Sequence, residues 1–497
     1  MAPACQRRRD EWSVGGHPRE STAEWPRGGR AVVGRRPGRG RAGVRRRSDV
    51  GRTVAAGRLA GMERSLWAVL IGTFTLRFST ALTGTTLIFY LADLPKLGGP
   101  RVDPAEVGAL VAVFFAAELV LSTPFGIVSD RLGHHRVMQL GPIFGAVAVV
   151  LTWATTDLFV LGGTRLLEGA STAASVPSIL GFIALATAHD ESLRGRASAR
   201  FEGATLAGIG GGAVAAGVLY GGVGSWDGFG RTTFLLNAIF YAISFLIYRF
   251  GVTDPRAERG GGAAAPMFDL QRYRRLLASS HVWLLAPTWI AINAALGLWT
   301  TQSIFQLVRE RDRHFADQLL MGGFDPAVIS AGLAAALVVF FLGLVFWGDR
   351  FKLYRRTTII FFGIAGGAGV VAGALLVNHS EGMAWYVQAL GGAMVIAGLF
   401  VLSGATPAAL GLLADVSERY PHDRGAIMGL YSVFLALGQI GGSLLGGQVA
   451  RFKGIDAILL LTLAFLAIAL LPLWRLRSFE HQLSPDPALS PAELEPT

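Results

Sequence analysis

Long apolar runs constrain this chain more than anything else in it. A bilayer core about 30 Å thick is crossed by about 20 mostly apolar residues in a helix. Twelve such runs can be marked, near residues 66–92, 105–128, 134–155, 157–187, 200–224, 230–250, 281–306, 326–347, 357–378, 384–414, 426–450 and 455–475. Lipid offers no water to backbone amides and carbonyls, so each run has to close its hydrogen bonds internally, as a helix. Only 16% of the 497 residues are charged, against about 25% in soluble domains. The expected fold is therefore an all-α membrane protein of twelve transmembrane helices, and the even count puts both termini on one side.

The Lys/Arg bias of short loops tells which side that is. Loops after even-numbered runs hold seventeen Lys and Arg, including Arg131, Arg136, Arg194, Arg350 and Arg424; those after odd-numbered runs hold eight. Both termini are expected to be cytoplasmic, in a multi-pass protein of the cytoplasmic membrane. The net charge of +11 invites a nucleic-acid reading, but fifteen arginines and five acids fall in residues 1–61, a net of +10. That leaves +1 for the rest, so no nucleic-acid partner is expected. Residues 1–61 read as a basic disordered tail, either a polyanion-binding arm or sequence upstream of a start at Met62. The one cysteine, Cys5, lies there, and excludes a disulfide framework or cysteine metal site.

The runs fall into two sets. Residues 62–250 form one expected bundle of six helices and 281–477 a second. Residues 251–280 join them as a linker with a short amphipathic helix (DLQRYRRLLAS), and 478–497 read as a disordered, Pro-rich tail. Internal similarity relates the two sets. Asp130, Arg131 and Arg136 of GIVSDRLGHHR match Asp349, Arg350 and Arg355 of VFWGDRFKLYRR at an offset of 219. At an offset of 230, Pro177 matches Pro407, and Gly208, Gly211, Gly212 and Gly217 match Gly438, Gly441, Gly442 and Gly447. Glycines at such spacing let helices approach closely in lipid, and four in register point to duplication.

With those residues in view, the chain resembles the major facilitator superfamily over about residues 62–480. GIVSDRLGHHR, from Gly126 through Gly133 to Arg136, resembles the family's signature between the second and third spans, and the Asp349 copy falls between the eighth and ninth. TRLLEGA at Thr164 resembles its fourth-span signature, and RGAIMGLYS at Arg424 the start of its eleventh span. An aspartate beside a helix N-terminus meets partial positive charge there, about 0.3–1 kcal/mol. Arg131 and Arg136 can pair with carboxylates of the opposite half when the cytoplasmic side is shut, forming a latch. The resemblance implies that role. Gly126 is replaced by Val345 in the second copy, so the N-terminal latch should dominate; the alternative is a plain inner-leaflet anchor.

Ionisable residues in mid-span cost about 2.5–3.5 kcal/mol on insertion scales and are functional candidates by default. Here they are Arg77, Glu118, Arg165 and Glu168. Arg165, Glu168, Thr172 and Ser175 share one helical face, as do Trp289, Asn293 and Thr300, with Gln302 beside them. The resemblance implies that spans one, four, seven and ten line a central cavity and that these faces look into it. Two readings stay open: a proton-exchanging Glu118 or Glu168, or satisfied ion pairs Arg77–Glu118 and Arg165–Glu168 that set helix packing.

The function expected is secondary active transport of a small organic solute, amphipathic or uncharged, by alternating access. Proton-coupled efflux is set ahead of uptake. The protein is expected to act as a monomer, with no cofactor, no metal and no enzymatic activity. The family's exporters often carry a Gly-Pro signature in the fifth span, where GIGGGAVAAG has Ala213; that departure weakens the export reading. A polytopic enzyme would need clustered loop carboxylates or histidines. His134 and His135 occupy spacer positions of the loop motif and His189 is isolated, all read as surface-loop residues. A non-transporting receptor or assembly factor should show a degraded latch, whereas the Asp130 motif is intact.

Overall fold

The structure is a computed structural model that describes residues 41–187, 191–222, 230–253, 282–311, 313–351, 353–418 and 424–483. By contact the chain divides into two units, Met1–Gly57 and Arg58–Thr497; apart from the first part of α1, both helical bundles lie in the second. The first bundle comprises α1 (Arg41–Asp93), α2 (Pro104–Leu132), the short α3 (His134–Met138), α4 (Leu140–Ala154), α5 (Leu158–Ala186), α6 (Glu191–Gly221) and α7 (Thr232–Gly251). The second comprises α8 (Ala286–Leu298), α9 (Ile304–Val308), α10 (Pro326–Arg350), α11 (Arg356–Asn378), α12 (Trp385–Leu402), α13 (Ala405–Glu418), α14 (Arg424–Leu470) and α15 (Leu473–Leu483). The linker expected over 251–280 lies almost wholly outside the described residues, as does the chain after 483.

Helix starts follow local chemistry. Asp103 caps α2 with a full capping box: its carboxylate accepts from Ala105 N at 2.9 Å, and Glu106 accepts from Asp103 N at 2.8 Å. Asp157 accepts from Phe159 N and Val160 N, and Asp325 from Ala327 N. Pro104 and Pro326 open their helices, where a missing N–H costs nothing. These three caps satisfy donors that a helix end leaves without partners.

Ten helical stretches among the described residues are long and apolar enough to cross a membrane, where the sequence predicts twelve. Two local features account for the difference. The expected seventh span is interrupted: α8 and α9 are separated by a π-helical turn, Trp299–Ser303, so neither piece reaches spanning length alone. The expected eleventh and twelfth spans lie in one element, α14, broken at Lys453 and Gly454, where the glycine takes φ +57°. The Gln318 side chain holds that break, donating to Lys453 O at 3.0 Å and accepting from Ile455 N at 3.1 Å.

Two described segments, 41–61 and 478–483, are helical where tails were expected. α1 begins at Arg41, inside the stretch predicted to be irregular, because extending an existing helix costs far less than nucleating one. At the other end, helix continues through Ser478 to Leu483, where a disordered tail was expected. Leu473 and Leu476 bury in the second core, and Glu480 is buried between them and α11. Its carboxylate accepts from Arg356 N at 2.8 Å, from Thr357 N at 3.2 Å and from the Thr357 hydroxyl. The residue preceding α11, Arg355, provides no side-chain cap, so Glu480 caps that helix from a distant part of the chain. Glu480→Ala should lower stability by about 2 kcal/mol, since a carboxylate at exposed helix amides contributes on that order. Thermal unfolding in detergent reads this, and an unchanged transition rejects the cap.

The duplicated glycines make duplicated contacts. A Cβ at Gly208 or Gly212 would collide with the α1 backbone at Phe74–Phe78 and Phe78–Leu82, and one at Gly438 or Gly442 with α8 at Ile290–Ala294. Each half thus packs its fifth helix on its first in the same way.

Candidate functional site

Two further matched glycines carry the contact between bundles. A Cβ at Gly217 of α6 would collide with Pro326 O and the Ser330 hydroxyl of α10, and Gly217 N donates to that hydroxyl at 2.9 Å. A Cβ at Gly447 of α14 would lie 2.6 Å from Pro104 O and 2.9 Å from the Ala105 Cα of α2. Gly108 of α2 abuts Ser443 O of α14. Gln302, in the π turn, donates across this seam to Pro104 O at 2.9 Å, and Arg451 pairs with Asp103 at 3.1 Å. One apolar cluster draws on both halves, joining Leu82, Leu87 and Phe89 to Ile304, Phe305 and Ile329.

The same helices part toward the opposite end. Gly126 lies 18 residues beyond Gly108, five full turns at 3.6 residues per turn, and so shares its face. A Cβ there meets only Pro177 of its own bundle, at 3.8 Å. Gly348 lies 18 residues beyond Ser330 on α10 and has open space, as does Gly203, nearly four turns before Gly217 on α6. Between them, Gly210 touches Leu337 of α10. Among the described residues, the bundles are therefore closed at the end capped by Asp103 and Asp325, and splayed at the end carrying the Asp130 and Asp349 loops.

The splay explains the state of the loop motif. Arg131 and Arg136 are exposed and, among the described residues, form no ion pair with the opposite bundle; the interlock expected of them is not made in this open arrangement. Asp130 is 43% exposed, 3.7 Å from His134 Nε2. In the second copy Asp349 is exposed, and Arg350 folds back over the Phe346 ring, 3.5 Å from its centroid. Gly133 takes φ +98°, a conformation that excludes ordinary side chains. His134 corrects the surface-loop reading. It is buried, with Nδ1 3.1 Å from the Ser129 hydroxyl and its ring filling the space beside Gly181 of α5. The glycine opposite makes room that the spacing alone does not reveal.

The charged residues separate into two groups. Arg165 and Glu168 are 4% and 1% exposed, and Arg165 Nη1 donates to Glu168 Oε2 within α5. The Arg165 guanidinium lies over the Phe114 ring at 4.8 Å, and the pair's charges reach the buried Tyr241 of α7. Thr172 is buried too, and Ser175 faces Gly141 of α4. This face points into the first bundle and not into the cleft, contrary to the cavity-lining expectation. Trp289 and Asn293 likewise lie in the second core, Asn293 donating to Trp289 O at 2.9 Å. Thr300 is exposed.

Arg77, Glu118 and Glu202 are only partly buried. Arg77 sits where α6 crosses α1, its Cβ 2.9 Å from a Cβ built at Gly208, and its charge acts on both Glu118 of α2 and Glu202 of α6. No direct ion pair joins the three among the described residues, so the expected Arg77–Glu118 bridge is not closed here. Glu202 was missed by the sequence reading because it falls at the margin of the fifth apolar run, where a carboxylate passes for a loop residue.

At the closed seam, Gln302 and Gln306 are 0% exposed, and Gln302 Oε1, both Gln306 amide atoms and the Ser443 hydroxyl find no hydrogen-bond partner among the described residues. Each such group costs about 1–3 kcal/mol.

Two helical bundles, internally repeated and joined at one end through matched glycines, have the architecture of a membrane transporter of the rocking-bundle class. The chain belongs to the Major Facilitator Superfamily, whose sequence model matches residues 69–419 and 323–494. It is similar to the Quinolone resistance protein NorA of Staphylococcus aureus (strain COL), 22% identical over 394 residues, covering 78% of this chain and 90% of that one. Multidrug resistance protein 2 of Bacillus subtilis (strain 168) is 23% identical over 352 residues, covering 70% and 80%. Among solved structures, the nucleoside transporter NupG superposes with TM-score 0.63 at 16% identity, over 83% of this chain and 98% of that one. A bacterial homologue of the human lysosomal transporter Spinster, captured inward-facing and unoccupied, gives 0.62 at 14% over 86% and 99%.

Proposed function

We propose that this chain exports a small organic solute across the cytoplasmic membrane by alternating access, with protons moving the opposite way. The observation that carries the reading is the pair of matched glycine contacts, Gly217 on α10 and Gly447 on α2, at one end only. Loop charge places the Asp130 end in the cytoplasm, so the cleft of this structure opens inward. Solute would enter from that side. Bringing the Gly126 and Gly348 faces together would let Arg131 and Arg136 reach carboxylates across the cleft, while the Gly217 and Gly447 seams separate outward. The resistance proteins among the relatives favour export of amphipathic, drug-like compounds.

Glu118 is the carboxylate best placed for coupling. It is partly exposed and within the influence of the Arg77 charge, whereas Glu168 is shut inside the bundle. Reconstituted protein should move a subset of amphipathic compounds in response to a pH gradient. Glu118→Gln should remove the gradient response by at least about tenfold, as expected when a required proton carrier is lost, while solute exchange without a gradient continues. Full gradient-driven flux in Glu118→Gln would reject Glu118 as the coupling residue. The second reading is a facilitator or uptake permease, favoured by Ala213 in place of the antiporter proline; wild-type flux indifferent to the gradient would support it.

A further inference from the structure

We propose that the outer face of α15 is a binding surface for anionic phospholipid headgroups. The helix is sharply two-sided. Leu473, Leu476 and Glu480, spaced at three and seven residues, are buried against the second bundle. Trp474, Arg475, Arg477 and Ser478 turn outward, and Trp474 is 84% exposed. Neither Arg475 nor Arg477 has a carboxylate partner among the described residues, and the one acid described on the helix, Glu480, is consumed inside by the amides of Arg356 and Thr357. The outward face therefore presents two cations and an indole with no carboxylate beside them among the described residues.

Its position selects the partner. The apolar span of α14 ends at Leu470, and Leu471 just beyond it is 78% exposed. A chain leaving the hydrocarbon at that point passes directly into the headgroup layer, where an indole is favoured by its apolar body and polar N–H. Arginines at that depth are drawn to anionic lipid by about 1 kcal/mol each. An exposed basic helix on a mobile tail would hold lipid only loosely. Here the Glu480 cap and the buried leucines fix the helix to the start of α11, so Arg475 and Arg477 are held on the two flanks of its outward side, about 160° apart around the axis, each able to meet a separate headgroup phosphate. The same cap ties this surface to the loop that carries Arg355 and Arg356.

The test uses the full chain with its single native cysteine removed, Cys5→Ala, and an environment-sensitive fluorophore on Ser478→Cys. The protein is reconstituted in vesicles of phosphatidylcholine alone or mixed with phosphatidylglycerol. Emission should shift to the blue as phosphatidylglycerol is added. Arg475→Gln/Arg477→Gln should need about tenfold more of it for half the shift, and Arg475→Lys/Arg477→Lys should restore most of the response. Equal emission in the two lipids, or an unchanged midpoint in the glutamine variant, overturns the proposal. A shift produced in phosphatidylcholine vesicles by excess inorganic phosphate assigns the site to a free anion and overturns the lipid assignment. A thermal transition matching the parent shows that the glutamine variant is folded.

Discussion

Gly447→Leu is expected to cut transport by about 5- to 150-fold while leaving the protein folded, and Gly217→Leu to do the same from the matched position. At Gly447 even a Cβ would stand 2.6 Å from the Pro104 carbonyl oxygen. That neighbour is backbone of a capped helix start and cannot swing aside as a flexible side chain does. Overpacking of this kind costs about 1–3 kcal/mol. The cost falls only on the arrangement in which this end is closed, so it moves the two-state balance by about 5- to 150-fold. Both bundles should remain intact, because the atoms nearest an added Cβ at each glycine belong to the opposite half. Gly441→Leu is the control, since a Cβ there meets nothing within 4 Å. Turnover in proteoliposomes measures the loss. Labelling of Ser330→Cys, in the Cys5→Ala background, reports whether the seam has opened. Wild-type turnover with Ser330→Cys still protected in Gly447→Leu would sink the rocking account.

Arg165→Ala should destabilise the first bundle by about 3–5 kcal/mol, the cost of leaving a buried partner charge alone. Glu168 is 1% exposed and takes its described hydrogen bond from Arg165. Replacing both, as Arg165→Met/Glu168→Leu, removes the stranded charge with its partner and should recover most of the loss. Thermal or denaturant unfolding in micelles gives both numbers. The double variant then separates the two readings of the pair. If it is stable and transports, the pair sets helix packing; if it is stable and inactive, the pair takes part in the cycle. An Arg165→Ala protein as stable as the parent would mean that Glu168 does not carry a buried charge.

Much of the fold was legible because apolar length and turn chemistry are local properties. The runs at 105–128, 326–347 and 357–378 correspond closely to α2, α10 and α11, and the starts of α2 and α10 carry the Asp-Pro pair that a helix N-terminus favours. The duplicated glycines announced close packing, since no other residue recurs at such spacing without a steric reason. Which neighbour each glycine meets was not legible. Gly212 and Gly217 are five residues apart on one helix, yet the first serves its own bundle and the second the opposite one. The candidate site was legible as a set of residues and misread as a place. Helical spacing groups Arg165, Glu168, Thr172 and Ser175 on one face, but it does not say whether that face looks at a cleft or at Tyr241 and Gly141.

The sequence by itself determined a duplicated, membrane-embedded helical chain with basic loops on one side, because spanning length, loop charge and internal repeats depend only on residues near one another along the chain. Tertiary structure alone decided that Glu480 caps a helix more than a hundred residues away, that His134 is buried against Gly181, and that the bundles meet at Gly217 and Gly447 while parting at Gly126 and Gly348. Those outcomes rest on contacts between segments distant in sequence. Shape and charge there are settled by which surfaces the packed helices present to each other, and no local pattern records that.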